Sequence, residues 1–272
     1  MTTRRGFIAG ASALAGYGFF GAGEHARALP ANLADEFARI ERESGGRLGV
    51  AVLDTGSGAR AGHHAGDRFP MCSTFKLLAA AAVLKRIDEG KEKLDRRITF
   101  EAGDIVVNSP VTQKHVGGDG MTLAEICEAA MTVSDNTAGN LILTSLGGPQ
   151  AITAFARSLG DPMTRLDRNE PTLNEAVPGD PRDTTTPEAM LKNVQTLVLG
   201  DALSAASKEQ LTKWLVGNKT GAGERGTTND VGVLWPPEGK PIIVAIYLTE
   251  TTAPAEKRNA TLAAVGRAVA TG

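Results

Sequence analysis

The sequence predicts an α+β fold in which an antiparallel sheet, flanked by helices, lies beside an all-helical lobe. Strand patterns occur near both ends of the chain, at Arg47–Asp54, 231–235 and Ile242–Thr249, whereas helical patterns fill the middle. The 272 residues are 42% hydrophobic and can build one sizeable core or two lobes. A sheet assembled from the two ends and covered by the terminal helices is the simplest packing.

The first elements follow from local patterns. Leu33, Phe37 and Ile40 form one apolar stripe and predict a helix over 31–44, before the first strand. A turn at 55–58 predicts a hairpin partner at 59–65. Residues 73–89 are rich in Ala and Leu and predict a helix that stops at Gly90.

The later elements are mostly helices. Thr122 and Glu125 form a capping box before a helix that ends near Val133. Further helices are predicted at 136–146, 149–159, 187–199, 204–215 and 254–270. We therefore expect one domain over 29–272, with an α/β lobe from about 29–65 and 215–272, a helical lobe over about 66–214, and a site in the cleft between them.

Residues 1–28 have the pattern of a signal peptide. Arg4 and Arg5 begin a twin-arginine export motif, a small apolar run follows to about Gly23, and 26–28 is an A-x-A cleavage site. A membrane anchor is the less favoured alternative because the run is short and rich in Gly and Ala. We expect a periplasmic or secreted protein that is exported by the twin-arginine route.

The chain has two cysteines, which could pair in an oxidising compartment. Cys72 precedes one predicted helix and Cys127 lies within another, and no pattern brings the two together. We expect both to be small buried hydrophobic residues without a disulfide.

A candidate nucleophile lies in the segment S-T-F-K at residues 73–76. Ser73 begins its helix and Lys76 lies one turn later on the same face, so the lysine could act as the base if burial lowers its pKa. The N–H groups at the helix start favour an oxyanion beside Ser73. Taken alone, the segment is better explained as a serine N-cap followed by a solvated lysine.

Two further motifs supply polar groups. In S-D-N at 134–136, Ser134 could pass a proton to a leaving nitrogen and Asn136 could bind a substrate amide; alone it could be a cap between helices. In K-T-G at 219–221, Lys219 and Thr220 could meet a carboxylate on an edge strand, and Gly221 would allow close approach of the substrate.

These motifs occur in this order in class A β-lactamases and penicillin-binding proteins, and residues 165–174 also resemble the Ω-loop of class A serine β-lactamases. The resemblance implies that Ser73 is acylated, that Lys76 and Glu170 share the base role, and that Glu170 and Asn174 hold the hydrolytic water. It also implies an oxyanion hole from the N–H groups of Ser73 and Ala222. Three further matches lie in and after the loop: an Arg168–Asp183 ion pair, a cis bond before Pro171, and the strand and turn at 226–236.

The implied activity is hydrolysis of the β-lactam amide bond, which confers antibiotic resistance, on a small-molecule β-lactam substrate. We expect no cofactor and no metal. We also expect a monomer that contacts no nucleic acid, given a net charge of −2, and no membrane after signal cleavage. The alternatives are a slow-turnover penicillin-binding protein or DD-peptidase, which lacks the Glu170 and Asn174 element, and an inactive binder with this fold.

The chain departs from the family before the K-T-G motif. Between Asp183 and Lys219 it is roughly twenty residues shorter than its relatives. Residues 214–218 would have to end a helix and also begin the strand that carries Lys219, and one residue cannot adopt both conformations. We expect the helix to end before Trp214 and residues 217–222 to pair with 231–235. The alternative is that 214–218 stay helical and the strand that carries Lys219 is shortened.

The shortening also affects the expected substrate contacts. The missing segment usually supplies an arginine for the substrate carboxylate, and the alternative positions hold Thr228 and Asn259. Carboxylate binding would then depend on Lys219, Thr220 and Ser134, and activity could be impaired. Asn108 replaces an aromatic residue that many relatives have at the entrance to the site.

Overall fold

The computed structural model describes residues 29–215, 219–236 and 239–270. The predicted export signal at 1–28 lies outside the described residues. Among the residues that are described, no helix is both long enough and apolar enough to cross a membrane.

The sheet is antiparallel and five-stranded, in the order β2-β1-β9-β8-β7. Its strands come from both ends of the chain, as predicted, because β1 pairs with β9 along its whole length. The strand bounds are β1 Arg47–Asp54, β2 Arg60–His63, β7 Lys219–Ala222, β8 Thr228–Leu234 and β9 Ile242–Thr249. Two small ribbons pair β3 (Phe69–Pro70) with β6 (Thr184–Thr185) and β4 (Arg97–Ile98) with β5 (Met121–Thr122).

Helices cover both faces of the sheet and fill the second lobe, which confirms the α+β class. Those of the described chain are α1 Leu33–Ser44, α2 Phe75–Asp88, α3 Leu123–Thr132, α4 Asn136–Leu146, α5 Gln150–Ser158, α6 Pro187–Val194, α7 Ala205–Leu215 and α8 Ala255–Ala270. Alternate residues of β1 enter different cores. Val50 packs with α1 and α8, whereas Leu53 packs with the helical lobe.

Two predicted helices are interrupted. The helix predicted from 73 opens with a 3-10 turn at Cys72–Thr74 before α2 begins. The helix predicted over 187–199 is α6 followed by a π-helical turn at Gln195–Leu199. The capping box before α3 is confirmed, because Thr122 accepts from Glu125 N while the Glu125 carboxylate accepts from Thr122 N.

The prediction that the helix before K-T-G ends ahead of Trp214 is wrong. Helix α7 continues to Leu215, and both residues are buried in the hydrophobic core of the helical lobe. Burial of these two large side chains outweighs the strand pairing that unwinding the helix would have allowed. Within the described residues, β7 covers Lys219–Ala222, and residues 217 and 218 of the predicted strand lie outside the described part.

The predicted pairing of this strand is only partly correct. Lys219 pairs with Val231, but the rest of β7 runs along Thr228–Asp230 and not along residues 232–235. An antiparallel partner must run backwards from Val231, so the tight turn at 223–227 fixes this register.

Both cysteines are free thiols and fully buried. Burial raises the pKa of Cys72 and of Cys127 above the usual thiol value. They therefore pack as small hydrophobic residues, as predicted.

Candidate active site

Three side chains from distant parts of the sequence meet in a closed triangle. Lys76 Nζ lies 2.9 Å from Ser73 Oγ and 2.9 Å from Glu170 Oε1, and Ser73 Oγ lies 3.3 Å from the same Glu170 oxygen. The side chains of Lys76 and Glu170 have no solvent exposure. A hydroxyl is thus held between an amine and a carboxylate, either of which can accept its proton.

Lys76 connects this triangle to the S-D-N motif. Its Nζ also donates to Asn136 Oδ1 at 2.7 Å, to Ser134 O at 3.0 Å and to Ser134 Oγ at 3.3 Å. Burial lowers the pKa of Lys76 below the usual lysine value, although the Glu170 carboxylate opposes this shift. A lowered pKa makes the neutral amine, the form that can accept a proton, easier to reach.

The backbone around Ser73 is set by residues on both sides. Cys72 has a positive φ of 44°, which is uncommon for a residue with a side chain and turns the chain into the helix at Ser73. Asn229 of β8 donates to the carbonyls of Pro70 and Met71 at 2.8 and 3.1 Å. The sheet therefore holds the segment that leads to the nucleophile.

Asp135 organises the second motif. Its carboxylate accepts from Ala138 N and so caps α4, and it also accepts from Val111 N and Thr112 N in the loop opposite. Ser134, just before it, has a positive φ of 58°. The motif is therefore a helix cap, as the simpler interpretation had it, and this cap also fixes Ser134 and Asn136 beside Lys76.

The loop that carries Glu170 is closed at its base by the expected ion pair. Arg168 Nε donates to Asp183 Oδ2 at 2.5 Å, and Asp183 Oδ1 accepts from the backbone of Asp167 and Arg168. Asn174 Nδ2 donates to Glu170 Oε2 at 2.5 Å. The peptide bond between Glu170 and Pro171 is cis, as the resemblance implied.

One residue that positions Glu170 was missed in the sequence. Asn140 lies one helical turn after Asn136 on α4 and hydrogen-bonds to both backbone polar groups of Glu170. Its i, i+4 spacing from Asn136 places it on the same face of the helix, which is the pattern in the sequence that could have indicated this role. An asparagine in a helix interior is otherwise an unfavourable residue, which also hints at a special role.

Strand β7 lies against the backbone of Ser73. A Cβ placed on Gly221 would lie 3.0 Å from Met71 O and 3.2 Å from Ser73 N, so only glycine allows this approach without a shift. Lys219 is buried and its Nζ donates to Ala130 O at 3.1 Å, at the end of α3 that leads to Ser134. The shortened connection has therefore not removed Lys219 from the cleft.

The free edge of β7 presents the N–H of Ala222. Gly223 N donates inward to Thr227 O, and neighbouring N–H groups along a strand point in opposite directions. Ala222 N–H thus points away from β8, at the unpaired edge of the sheet, as an oxyanion hole requires. Thr220 is exposed on the same strand.

A cation from α8 approaches this strand pair. Arg258 Nε donates to Thr228 Oγ1 at 2.9 Å, and Thr228 is the cross-strand partner of Ala222. Arg258 is adjacent in sequence to Asn259, one of the two positions that the family resemblance pointed to, but the sequence did not single it out. Asn108 has a positive φ of 62°, and its carbonyl accepts from Asn136 N at 3.1 Å.

Known β-lactamases are similar to this chain in sequence. The model of the β-lactamase enzyme family matches residues 32–215 and 209–271. The chain is 45% identical to β-lactamase CTX-M-8 of Citrobacter amalonaticus over 89% of each chain. It is 47% identical to β-lactamase OXY-2 of Klebsiella oxytoca over 86% of this chain and 87% of the relative.

A solved structure of an ancestral class A β-lactamase, that of the last common ancestor of Gram-negative bacteria, has a similar fold. It superposes with a TM-score of 0.86 at 58% identity, over 88% of this chain and 98% of the ancestral one. The two matched segments of the family model overlap at residues 209–215, so the end of α7 corresponds to two separate places in the family pattern. Both the fold and the sequence therefore show that this chain belongs to the class A β-lactamase family, with a contracted segment before its K-T-G motif.

Proposed function

We propose that the chain hydrolyses β-lactam antibiotics through an acyl-enzyme on Ser73 and a water activated by Glu170. The observation that carries this proposal is the buried triangle of Ser73, Lys76 and Glu170, whose polar atoms all lie within 3.3 Å of one another. Nucleophile and base are in hydrogen-bond contact, which is the arrangement that serine acylation requires.

In the acylation step, Ser73 Oγ attacks the carbonyl carbon of the β-lactam ring. Its proton passes to Lys76 or Glu170, and the oxyanion lies between the N–H groups of Ser73 and Ala222. The C–N bond then breaks, and the ring nitrogen takes a proton from Ser134, whose Oγ is 3.3 Å from Lys76 Nζ. Lys76 can then donate a proton to Ser134, so these residues can carry out the whole proton transfer.

In the deacylation step, Glu170 removes a proton from a water that attacks the ester carbon. Asn174 holds one Glu170 oxygen while the other faces Ser73 Oγ, so a water near both would be aligned for attack. This feature favours a hydrolase over a slow-turnover penicillin-binding protein or DD-peptidase, since such proteins lack the Glu170 and Asn174 element.

Substrate binding would use the edge of β7. Lys219, Thr220 and Ser134 would bind the substrate carboxylate and Asn136 its side-chain amide, while Gly221 lets the substrate approach. The contraction lies next to the strand that we propose to bind substrate, whereas the triangle of Ser73, Lys76 and Glu170 is formed, so we expect it to raise KM more than it lowers kcat. Loss of a charged hydrogen bond costs about 1.5–3 kcal/mol, or tenfold to over a hundredfold in binding.

The cellular setting is part of the proposal. The twin-arginine motif at Arg4 and Arg5 and the A-x-A site at 26–28 support export to the periplasm or the medium, where β-lactams act. There the protein would act as a monomer and confer resistance.

Mass spectrometry of the protein with a penicillin, followed over time, tests the mechanism. A transient adduct on Ser73 that disappears as penicillin is hydrolysed supports it, as does turnover of a chromogenic cephalosporin. Ser73→Ala should abolish both, whereas Ser158→Ala on the exposed face of α5 should change neither. A stable adduct would indicate a slow-turnover penicillin-binding protein instead. No adduct at all would indicate an inactive binder with this fold.

A further inference from the structure

A cluster of metal-binding side chains lies at the edge of the sheet opposite the active site. Glu41 on α1 meets His63 and His64 at the end of β2, and their ligand atoms all lie within 4.8 Å of one another. Four strand spacings separate β2 from β7, which places the cluster roughly 19 Å from the K-T-G strand. The proposed hydrolysis uses none of these residues.

The backbone brings two adjacent histidines to one acceptor. Consecutive side chains of a strand point to opposite faces, so two neighbouring histidines in a regular strand would point apart. Strand β2 ends at His63, and His64 adopts a positive φ of 46°. This left-handed turn brings both rings to Glu41 Oε2, at 2.8 Å from His63 Nε2 and 3.5 Å from His64 Nε2.

One of the measured distances fits a tetrahedral metal site. Zinc binds imidazole nitrogen and carboxylate oxygen at about 2.0–2.2 Å, so two ligand atoms of one tetrahedral ion lie about 3.3–3.6 Å apart. The 3.5 Å between His64 Nε2 and Glu41 Oε2 falls in this range, whereas His63 Nε2 is hydrogen-bonded to Glu41 Oε2 at 2.8 Å and would move slightly apart from it on binding an ion. Two imidazoles with one carboxylate also form a ligand set that zinc uses when a water completes its coordination.

Two of the three ligands have partners that orient them. His64 Nδ1 lies 3.1 Å from Asp67 Oδ2, which favours a proton on Nδ1 and leaves Nε2 able to bind a metal. Glu41 Oε1 accepts from Leu48 N at 2.9 Å, which leaves Oε2 for the ion. The side chains of Glu41 and His63 are 21% and 17% exposed, so an ion could enter from solvent without unfolding.

We propose that Glu41, His63 and His64 form a binding site for Zn²⁺ that is separate from the active site. A bound ion would join α1 to the end of β2 and, through the Leu48 N–H bond, to the first residues of β1. Because the folded chain holds the three ligands together and the unfolded chain does not, zinc binding would stabilise the fold.

Titration of the untagged full-length protein with Zn²⁺, by calorimetry, tests this site. We expect saturable binding of one ion, and a rise in the melting temperature that grows with free zinc concentration. Glu41→Gln, His63→Gln and His64→Asn should each weaken binding by at least about tenfold, since even loss of a partner outside the ligand shell typically costs that much. Asparagine suits position 64 because it tolerates the left-handed conformation.

His115→Asn is the matched control, since His115 is exposed and lies outside the cluster. It should bind zinc as the unsubstituted protein does. Circular dichroism of every variant without zinc separates loss of a ligand from loss of the fold. Cobalt in place of zinc should give the visible absorption of a four- or five-coordinate ion. Absence of saturable binding would overturn the proposal. So would zinc binding by Glu41→Gln and His63→Gln that is as tight as that of the unsubstituted protein.

Discussion

The side chain of Asn140 hydrogen-bonds to both the backbone N–H and the backbone C=O of Glu170. Its Oδ1 accepts from Glu170 N at 2.9 Å and its Nδ2 donates to Glu170 O at 3.0 Å. A helix of one lobe thereby fixes the loop residue that we propose as the base for the hydrolytic water. The carboxylate of Glu170 is thus oriented from its own main chain as well as by Lys76 and Asn174.

We expect Asn140→Ala to slow deacylation more than acylation, because the loop would no longer hold Glu170 in line with the ester. Two backbone groups of Glu170 would also lose their partners, at about 1–3 kcal/mol of unfolding free energy for each group. Pre-steady-state kinetics with a chromogenic cephalosporin separates the two steps. Asn140→Asp keeps the acceptor for Glu170 N but turns a carboxylate oxygen towards Glu170 O, so this variant should also slow deacylation. Equal slowing of both steps in the alanine variant would contradict this role.

Glu170→Gln should trap the acyl-enzyme. The amide keeps the size of the side chain but cannot accept a proton, so deacylation should fall by about 10²- to 10⁴-fold while Ser73 is still acylated. Intact-protein mass spectrometry after mixing with a penicillin should show an adduct that persists. Rapid turnover by this variant would remove Glu170 from the mechanism.

Arg258→Ala should raise KM by about tenfold or more for β-lactams that carry a free carboxylate, with a smaller change in kcat. The arginine donates to Thr228, the cross-strand partner of Ala222, and so lies beside this strand pair. The same substrate with its carboxylate esterified should show no such effect. Arg267→Ala, at an exposed position of the same helix, is the control. An equal loss on both substrates would indicate a purely structural role.

Asp230 should make the protein less stable as the pH rises. Burial raises the pKa of this carboxyl from 3.8 to about 8. Between these values the folded state holds a proton that the unfolded state has lost, so the unfolding free energy falls as pH increases towards 8 and rises again as pH decreases towards 4.

Asp230→Asn should remove this dependence, because the amide resembles the protonated acid. Relative to the unsubstituted protein, the variant should gain on the order of 3 kcal/mol of stability between pH 5 and pH 8. Urea unfolding at the two pH values measures the gain. Parallel pH profiles for the two proteins would show that Asp230 ionises freely in the folded state.

Elements with strong local patterns could be predicted from the sequence. The strand Arg47–Asp54 and the helix Asn136–Leu146 have the predicted bounds, because alternation and capping residues mark their ends. The motif residues Ser73, Lys76, Ser134 and Glu170 are brought together in space, but their proximity was inferred from family resemblance, since spacing along the chain does not reveal it.

Features that depend on tertiary packing could not be predicted in this way. The sequence predicts a helix that ends before Trp214, but Trp214 is buried in the core of the helical lobe and stays in the helix. Arg258 and Asn140 act through partners 30 residues away along the chain, Thr228 and Glu170 respectively. The spacing of Asn140 from Asn136 indicates a special position on α4, but no local pattern at Asn140 or Arg258 identifies the distant partner.

The short link between α7 and β7 has a consequence for local unfolding of the protein. Three residues join Leu215 to Lys219, so the Cα atoms of these two residues can lie at most about 14 Å apart. The folded helix α7 therefore anchors one end of the edge strand. Unfolding of the last turn of α7 would remove this anchor and let β7 leave the sheet more easily. The amides of Leu211 in α7 and Val231 in β8 should accordingly exchange their hydrogens at similar rates, as one cooperative unit.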